Sequence, residues 1–221
     1  MKVVILAGGR GTRLGGDQPK PMVEIGGKPI LSHIMGIYRK YGHNDFVIAC
    51  GYKGDTIRDY YKHDLNVTCL DTGLDTGTGE RVRMCAEAIN EPFMMTYGDG
   101  VADINIQMLI GVHNIWKRPV TVTAVHPQAR FGQLKIQLHN DKVMEFNEKA
   151  TGQEEWINGG FFVVEAYPNG MPSFEFDFLP RLVQRNELTA YRHTGFWQCM
   201  DTQRDVDYLN QLVQEGRAPW I

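Results

Sequence analysis

The chain has 221 residues, a formal net charge of −3 and 43% hydrophobic residues. This length can bury a full core, and we expect one domain over residues 1–221. The slight acidic excess argues against a general nucleic-acid binder, because such proteins normally carry a basic surplus.

The N-terminal segment predicts a buried strand followed by a phosphate-binding loop. Residues 3–7 are apolar without alternation, which is typical of a strand covered on both faces. In the loop after it, Gly8, Gly9 and Gly11 lack side chains, and positive charge beside them comes from Arg10, Arg13 and Lys20. Accessible backbone amides beside positive charge favour a polyphosphate ligand, although glycines after a strand also form ordinary turns. Leu14 stands where a dinucleotide-binding GxGxxG motif needs glycine, so that motif is not satisfied.

The segment up to residue 118 alternates between helices and strands. We predict a helix over 29–41, a strand over 46–50, a helix over 55–62, a strand over 67–70, a helix over 81–89 and a strand over 93–97. This alternation predicts a doubly wound, mostly parallel α/β sheet. Ligands of such sheets bind at the carboxyl ends of the strands. We therefore expect three segments to face one crevice: the glycine loop, the loop over 71–79 and Asp99.

The second part of the chain adds antiparallel features. We predict a strand over 120–125, a hairpin over 134–138 and 142–146, a strand over 157–164, a helix over 178–186, a strand over 189–192 and a helix over 204–215. The expected organisation is a nucleotide-binding half over about 1–118 and an acceptor-binding half over 119–221, fused into one compact unit.

The compartment is predicted from the cysteines and from the absence of long apolar runs. The four cysteines form no CxxC pair, which favours buried thiols over disulfides or metal ligands. No stretch approaches the roughly 20 apolar residues of a membrane span, and no cleavage site follows the short N-terminal run. We expect a cytoplasmic protein without a membrane partner.

Two aspartates are candidate metal ligands. Asp99 lies between two glycines at the predicted end of a strand, and Mg²⁺ prefers one or two carboxylates together with substrate phosphate oxygens. Asp201, before the last predicted helix, is the candidate second carboxylate. Each has a simpler interpretation, since Asp99 could cap a turn and Asp201 could cap that helix.

Seven segments carry a resemblance to a known family over nearly the whole chain. They read LAGGRGTRL, PKPMVEIGGKPIL, GYKG, TYGDGVADI, FGQLKI, INGGFFVV and GFWQCMDTQRD. In these segments the chain resembles the sugar-1-phosphate nucleotidyltransferases, and among them the glucose-1-phosphate cytidylyltransferase group. The resemblance implies a Rossmann-like, GT-A-like fold. It also implies Mg²⁺-dependent transfer of a nucleoside monophosphate, with CTP the favoured donor, to a sugar 1-phosphate, with release of pyrophosphate. A homo-oligomer is expected.

The resemblance also implies a set of site residues. Catalytic roles fall on Arg13, Lys20 and Asp99. Nucleotide contacts fall on Leu6, Gly8, Gly9, Gly11, Thr12, Arg13, Lys20, Thr78, Gly79 and Gly98. Contacts with the acceptor fall on Gly132, Glu148, Lys149, Asn158 and Gly159, and the metal ligands are Asp99 and Asp201.

The residues are compatible with this chemistry but leave alternatives open. A phosphate oxygen is already ionised at neutral pH, so the reaction needs positive charge and positioning rather than a general base. Compared with the cytidylyltransferases, the chain is shorter between Leu14 and Pro19 and between Tyr60 and Asp71, and Lys149 is followed by alanine. UTP, GTP or ATP therefore stay alternative donors, and another phosphorylated molecule an alternative acceptor. A nucleotide-binding regulatory homologue without turnover is the alternative from another functional class.

Overall fold

The computed structural model describes residues 1–11, 14, 17–127, 133–137, 142–147 and 155–221, except the side chains of 133–136 and 145–147. The strands are β1 (Lys2–Ala7), β2 (Glu24–Ile25), β3 (Lys28–Pro29), β4 (Phe46–Cys50), β5 (Val67–Asp71), β6 (Phe93–Tyr97), β7 (Gly100–Ala102), β8 (Val120–Val125), β9 (Gln133–Gln137), β10 (Lys142–Asn147), β11 (Ile157–Val164), β12 (Leu188–Arg192) and β13 (Trp197–Cys199). The helices are α1 (Ile30–Arg39), α2 (Gly54–Tyr61), α3 (Thr78–Ile89), α4 (Ile106–Trp116), α5 (Leu179–Gln184) and α6 (Gln203–Gln214). A 3-10 turn covers Lys20–Met22, and a π turn covers Phe174–Phe178.

A seven-stranded sheet in the order β12-β8-β11-β6-β1-β4-β5 forms the centre of the molecule. Its neighbouring strands are parallel except for β11, which is antiparallel to both β6 and β8. Strands β9 and β10 form the predicted hairpin as a separate antiparallel pair. The predicted mostly parallel α/β sheet is confirmed.

Helices cover the sheet on both faces. In β1, Val3 and Ile5 pack into one core cluster with α1, α4 and α6, whereas Val4 packs into a second cluster with α3 and α5. All three side chains are fully buried. A strand buried on both faces explains why its sequence is apolar without alternation.

Some predicted boundaries differ from the structure. Helix α3 begins at Thr78 rather than at residue 81, because Gly77 is its N-cap and the glycine-rich sequence hid the first turn. The helix predicted over 178–186 is the shorter α5, which has a proline in its first turn and is preceded by a π turn over Phe174–Phe178. The strands predicted over 46–50, 93–97, 120–125 and 157–164 coincide with β4, β6, β8 and β11.

Helix α4 has no counterpart among the predicted elements. Asn105 caps it by accepting a hydrogen bond from the backbone N–H of Met108. The helix buries Ile106 and Leu109 yet leaves Met108 and Ile115 exposed. Its sequence is therefore apolar around most of its circumference, and the 3.6-residue periodicity that reveals an amphipathic helix is weak.

All four cysteines are free thiols, with Cys50 and Cys85 buried and Cys69 and Cys199 half-buried. Within the described part of the chain, no helix is both long and apolar enough to cross a bilayer.

Candidate active site

A cleft of about 680 Å³ opens at the carboxyl ends of the central strands. The ends of β1 and β6, the glycine loop and the loop after β5 line it together, as the crevice prediction required. The predicted site residues on its surface are Leu6, Gly8, Gly9, Gly11, Lys20, Thr78, Gly98, Asp99 and Asp201. Gly79 is buried in the first turn of α3, directly behind Thr78.

The glycine loop is packed against the base of Lys20. Gly11 has a φ of +58°, which lies in the left-handed region, and a Cβ built on it would lie 2.8 Å from Cβ of Lys20. Any larger residue at this position would be strained in its backbone and would push the lysine away. Gly11 therefore fixes the distance between the glycine loop and Lys20, whose side chain lies in the cleft wall.

Lys20 connects the two predicted metal ligands. Its Nζ lies 2.7 Å from Oδ2 of Asp99 and 2.5 Å from Oδ1 of Asp201. Burial by itself lowers the pKa of Lys20, but the two carboxylates outweigh burial, and the pKa is raised above its ordinary value of 10.5. The ammonium group is therefore charged at neutral pH and holds both carboxylates at one point of the cleft.

A short antiparallel ladder brings Asp201 to Asp99. Strand β13 pairs with β7 so that Cys199 lies opposite Gly100, and the N–H of Met200 donates to the carbonyl of Asp99 over 2.8 Å. The two aspartates thus lie at the same end of one ladder. The alternative in which Asp201 caps the last helix is wrong, because Thr202 is the N-cap of α6.

The two aspartates suit a magnesium ion. Two carboxylates that approach one cationic nitrogen can approach one divalent cation, and Mg²⁺ characteristically takes one or two carboxylates and fills its remaining positions with water and phosphate oxygens. Among the residues that the structure describes, no cluster of three or more His, Cys, Asp or Glu side chains forms a metal cage. The donor set therefore fits a metal that is shared with a phosphorylated substrate.

Arg81 was not predicted as a site residue, yet it organises the cleft wall. It is 4% exposed, and its guanidinium donates to the carbonyls of Cys50 and Gly8 over 3.1 Å each and to the carbonyl of Leu74 over 3.3 Å. It also donates to the hydroxyl of Thr72. Burial lowers the pKa of Arg81. One buried side chain thus joins the segments that follow β1, β4 and β5.

The sequence contains a signal for Arg81 that could have been used. Arg81, Cys85 and Ile89 follow one another at four-residue steps on α3, and all three are buried. A charged residue on the inward stripe of an amphipathic helix must find hydrogen-bond partners inside the protein.

A smaller pocket of about 50 Å³ adjoins the main cleft and contains Asn158 and Gly159. Tyr97 and Asp99 line both spaces, so the two predicted substrate regions meet at the end of β6. At the opposite rim, Arg10 pairs with Asp75 over 2.9 Å, and both side chains are exposed. Such an exposed pair contributes little stability.

Five of the predicted site residues lie outside the described residues. They are Thr12, Arg13, Gly132, Glu148 and Lys149.

Comparison with known proteins agrees with this geometry. Residues 3–143 match the family of the MobA-like NTP transferase domain. The glucose-1-phosphate cytidylyltransferase of Salmonella typhi is 44% identical over 255 aligned residues, covering 100% of this chain and 98% of the relative. A probable glucose-1-phosphate cytidylyltransferase of Bacillus subtilis is 37% identical, covering 100% of this chain and 99% of the relative. The aligned length exceeds the 221 residues of this chain, so the relatives carry insertions that it lacks.

A solved structure extends the comparison to the fold. The crystal structure of HddC from Yersinia pseudotuberculosis complexed with GMP-PN superposes with a TM-score of 0.74 at 27% identity, covering 96% of this chain and 99% of that one. The resemblance found in the sequence is thereby confirmed. The chain belongs to the nucleotidyltransferase family that carries the MobA-like NTP transferase domain and includes the glucose-1-phosphate cytidylyltransferases.

Proposed function

We propose that this protein transfers CMP from CTP to α-D-glucose 1-phosphate, forming CDP-glucose and releasing pyrophosphate. The full-length similarity to glucose-1-phosphate cytidylyltransferases supports the choice of both substrates. The observation that carries the proposal is the position of Lys20, whose ammonium lies between the carboxylates of Asp99 and Asp201 beside the cleft.

The reaction brings two anions together, and the cleft is built to oppose their repulsion. An oxygen of the sugar phosphate attacks the α-phosphorus of CTP, and the bond from that phosphorus to the bridging oxygen of pyrophosphate breaks. The attacking oxygen carries no proton at neutral pH, so no residue has to act as a general base. Lys20 contributes a fixed positive charge near the reacting phosphates, which stabilises the charge that develops in the transition state.

Each of the described segments has a separate task in this proposal. The backbone of Gly8, Gly9 and Gly11 borders the space for the triphosphate, and Arg81 holds that loop against the strand ends. Thr78 borders the same cleft from α3, on the side proposed for the cytosine base. Asn158 and Gly159 line the adjoining pocket, which we assign to the sugar.

Asp99 and Asp201 would hold Mg²⁺ through their carboxylates. When bound, the ion offsets negative charge on the phosphate oxygens of the donor.

The remaining assignments are proposals that follow from the family. Arg13 would act on the triphosphate, Thr12 would contact the nucleotide, and Lys149 would contact the sugar phosphate, with Glu148 and Gly132 beside it. We also propose that residues 1–118 bind the nucleotide and residues 119–221 bind the acceptor. We further propose that the protein is a homo-oligomer. Its four free thiols favour a reducing environment.

A substrate panel tests the proposal. Each of CTP, UTP, GTP and ATP is incubated with the 1-phosphates of glucose, galactose, mannose and N-acetylglucosamine, and pyrophosphate release is measured with and without Mg²⁺. We expect the highest kcat/KM for CTP with glucose 1-phosphate and no turnover without a divalent metal. A preference for another pair would revise the substrates, whereas tight CTP binding without pyrophosphate release from any pair would indicate a regulatory homologue.

A further inference from the structure

Glu175 occupies an unusual place in the fold, on the π turn that lies between β11 and α5. π turns are rare and are frequently found at functional sites. The turn is firmly seated, because Phe174 and Phe178 on either side of Glu175 are 0% and 4% exposed. It also abuts the first turn of α3, where a Cβ on Gly79 would collide with the carbonyls of Met171 and Pro172. Glu175 is therefore held in a fixed position beside the two substrate spaces.

The carboxylate of Glu175 joins the two substrate spaces by hydrogen bonds. Its Oε2 accepts from the hydroxyl of Thr78 over 2.5 Å, and its Oε1 accepts from the hydroxyl of Tyr97 over 2.8 Å. Thr78 lines the larger cleft, and Tyr97 lines both spaces. The carboxylate thus connects the wall of the larger cleft with the residue that borders both spaces.

The chain of hydrogen bonds continues into the pocket assigned to the sugar. The hydroxyl of Tyr97 accepts from Nδ2 of Asn158 over 3.3 Å, and Oδ1 of Asn158 accepts from the N–H of Gly160 over 2.8 Å. Since a backbone N–H can only donate, the orientation of the Asn158 amide is determined. One Nδ2 hydrogen points to Tyr97, and the other can donate to a hydroxyl group in the pocket.

The direction of this chain depends on Glu175. A carboxylate only accepts hydrogen bonds, so Tyr97 must donate to it and must use its oxygen to accept from Asn158. Without an acceptor at position 175, the hydroxyl of Tyr97 could rotate and point its hydrogen at Nδ2 of Asn158, so the amide would keep its bond from Gly160 but lose the acceptor that holds Nδ2 in place.

We propose that Glu175 is a positioning residue for the acceptor: acting through Tyr97, it fixes the Asn158 amide so that this amide donates to one hydroxyl group of the sugar phosphate. This inference rests on the proposed function. It assigns Glu175 and Tyr97 to acceptor selection, which the sequence had not indicated for either residue.

Steady-state kinetics of three variants test the inference. Glu175→Met removes both acceptor oxygens at similar volume, and Glu175→Gln keeps one oxygen. Tyr97→Phe removes the hydroxyl of the relay, by which we mean the hydrogen bonds from Glu175 through Tyr97 to Asn158. We expect Glu175→Met to raise the KM for glucose 1-phosphate about tenfold, as loss of a charge-assisted hydrogen bond would, and the KM for CTP less than threefold. Glu175→Gln should recover part of the loss. The Glu175→Met/Tyr97→Phe double variant should be no worse than the poorer single variant, because both interrupt the same relay.

A matched control lies on the same turn. Asp177 accepts from the N–H of Ser173 over 2.8 Å and thereby stabilises the turn. Asp177→Asn should lower Tm without changing either KM, which separates loss of the turn from loss of the relay.

Deoxy analogues of the acceptor give the most specific readout. The 2-, 3-, 4- and 6-deoxyglucose 1-phosphates are compared in wild type and in Glu175→Met. The tenfold penalty should disappear for the one analogue that lacks the hydroxyl bound by Asn158. An equal penalty for all four analogues, or multiplicative losses in the double variant, would overturn the inference. Wild-type turnover in the same assay tests the proposed function separately. If wild type prefers another sugar 1-phosphate, the variants are assayed with that sugar 1-phosphate and with its deoxy analogues.

Discussion

The ammonium of Lys20 lies 2.5 Å from the carboxylate of Asp201, although 181 residues separate them in the sequence. The same nitrogen lies 2.7 Å from Asp99. A cation shared by two carboxylates has two consequences. It keeps the carboxylates together, and it competes with any metal ion that binds them.

This competition can be measured with Lys20→Met, which removes the charge but keeps most of the side-chain volume. In wild type, an ion held by Asp99 and Asp201 would compete with the ammonium of Lys20, whereas in the variant this competing charge is removed. We expect the variant to lose turnover about a hundredfold, which corresponds to about 3 kcal/mol of barrier, yet to gain more thermal stability from Mg²⁺ than wild type does. Scanning calorimetry over a Mg²⁺ titration measures the second effect.

Lys2→Met is the control for that experiment, because Lys2 forms only an ion pair with Glu91 at 3.7 Å. Equal Mg²⁺-dependent shifts of Tm in wild type and Lys20→Met would contradict competition at the two carboxylates.

Asp205 supports Asp201 from within α6. One of its oxygens, Oδ2, accepts from the N–H of Asp201 over 3.0 Å and from the N–H of Thr202 over 2.8 Å. Asp205→Ala should therefore destabilise the protein by about 1 kcal/mol, a typical cost for a lost helix cap, and raise the Mg²⁺ concentration for half-maximal activity severalfold.

The comparison for Asp205 is Asp207→Ala on the exposed face of the same helix. Asp207 accepts a hydrogen bond from the side-chain amide of Gln203, one turn earlier in the same helix. Urea unfolding and Mg²⁺ titrations of turnover should show no change in this variant, and indistinguishable behaviour of the two variants would refute a supporting role for Asp205.

Much of the fold follows from the sequence, whereas the pairing of the site residues does not. Residues 46–50 and 93–97 are predicted as strands because continuous apolar runs have no alternative to burial in a parallel sheet. The ladder of β7 and β13 is only three residues long, so no sequence periodicity predicts it, although it brings Asp201 beside Asp99. The family resemblance assigned both aspartates to the metal, but no local pattern could predict their distance.

The positioning role proposed for Glu175 is also hidden from sequence reasoning. Glu175 lies in the aromatic run FEFDF, which forms a π turn just before α5, and it falls in no predicted element. Its partners Thr78 and Tyr97 are 97 and 78 residues away. Contacts of this kind depend on tertiary packing, which single-sequence patterns do not encode.

Arg81 should be irreplaceable by lysine. Its two terminal nitrogens reach three carbonyls and one hydroxyl on separate segments, and the single ammonium of lysine cannot span them. We expect Arg81→Lys to destabilise the protein by about 2 kcal/mol and to raise the KM for CTP about tenfold. Urea unfolding and kinetics at saturating acceptor measure these effects.

Arg83→Lys provides the reference on the same helix, because Arg83 pairs with Glu80 and Glu87 at the surface. That change should leave the KM for CTP as it is. Similar kinetic effects from both substitutions would show that the cleft wall does not depend on the buried guanidinium.

His33 makes the stability of the C-terminus depend on pH. Its Nδ1 accepts from the indole N–H of Trp220 over 3.2 Å, and its Nε2 donates to the carbonyl of Ile25 over 2.8 Å, so the ring is neutral. Burial, with a smaller contribution from Lys28, lowers the pKa of His33 below its ordinary value of 6.5. The unfolded chain then binds the proton more readily, so stability is retained above pH 6.5 and is lost as the pH falls through the lowered pKa.

The free energy of unfolding should therefore decrease more steeply between pH 7 and pH 5 in wild type than in His33→Gln. Denaturation curves at several pH values measure this slope. His63→Gln, at an exposed histidine, should keep the slope of wild type. A wild-type slope in His33→Gln would exclude this coupling.

The most direct test of Asp99 as a metal ligand in the proposed reaction is to measure Mg²⁺-dependent release of pyrophosphate from CTP and glucose 1-phosphate. Wild type and Asp99→Asn are compared. Asp55→Asn serves as the control, since Asp55 pairs with Arg58 on the exposed face of α2. We predict that Asp99→Asn keeps its fold but loses turnover at least a hundredfold, because a metal ligand beside the cleft is removed and no core group is disturbed. Wild-type turnover in Asp99→Asn would contradict the assignment of the metal and, with it, the account of how two anionic substrates are brought together.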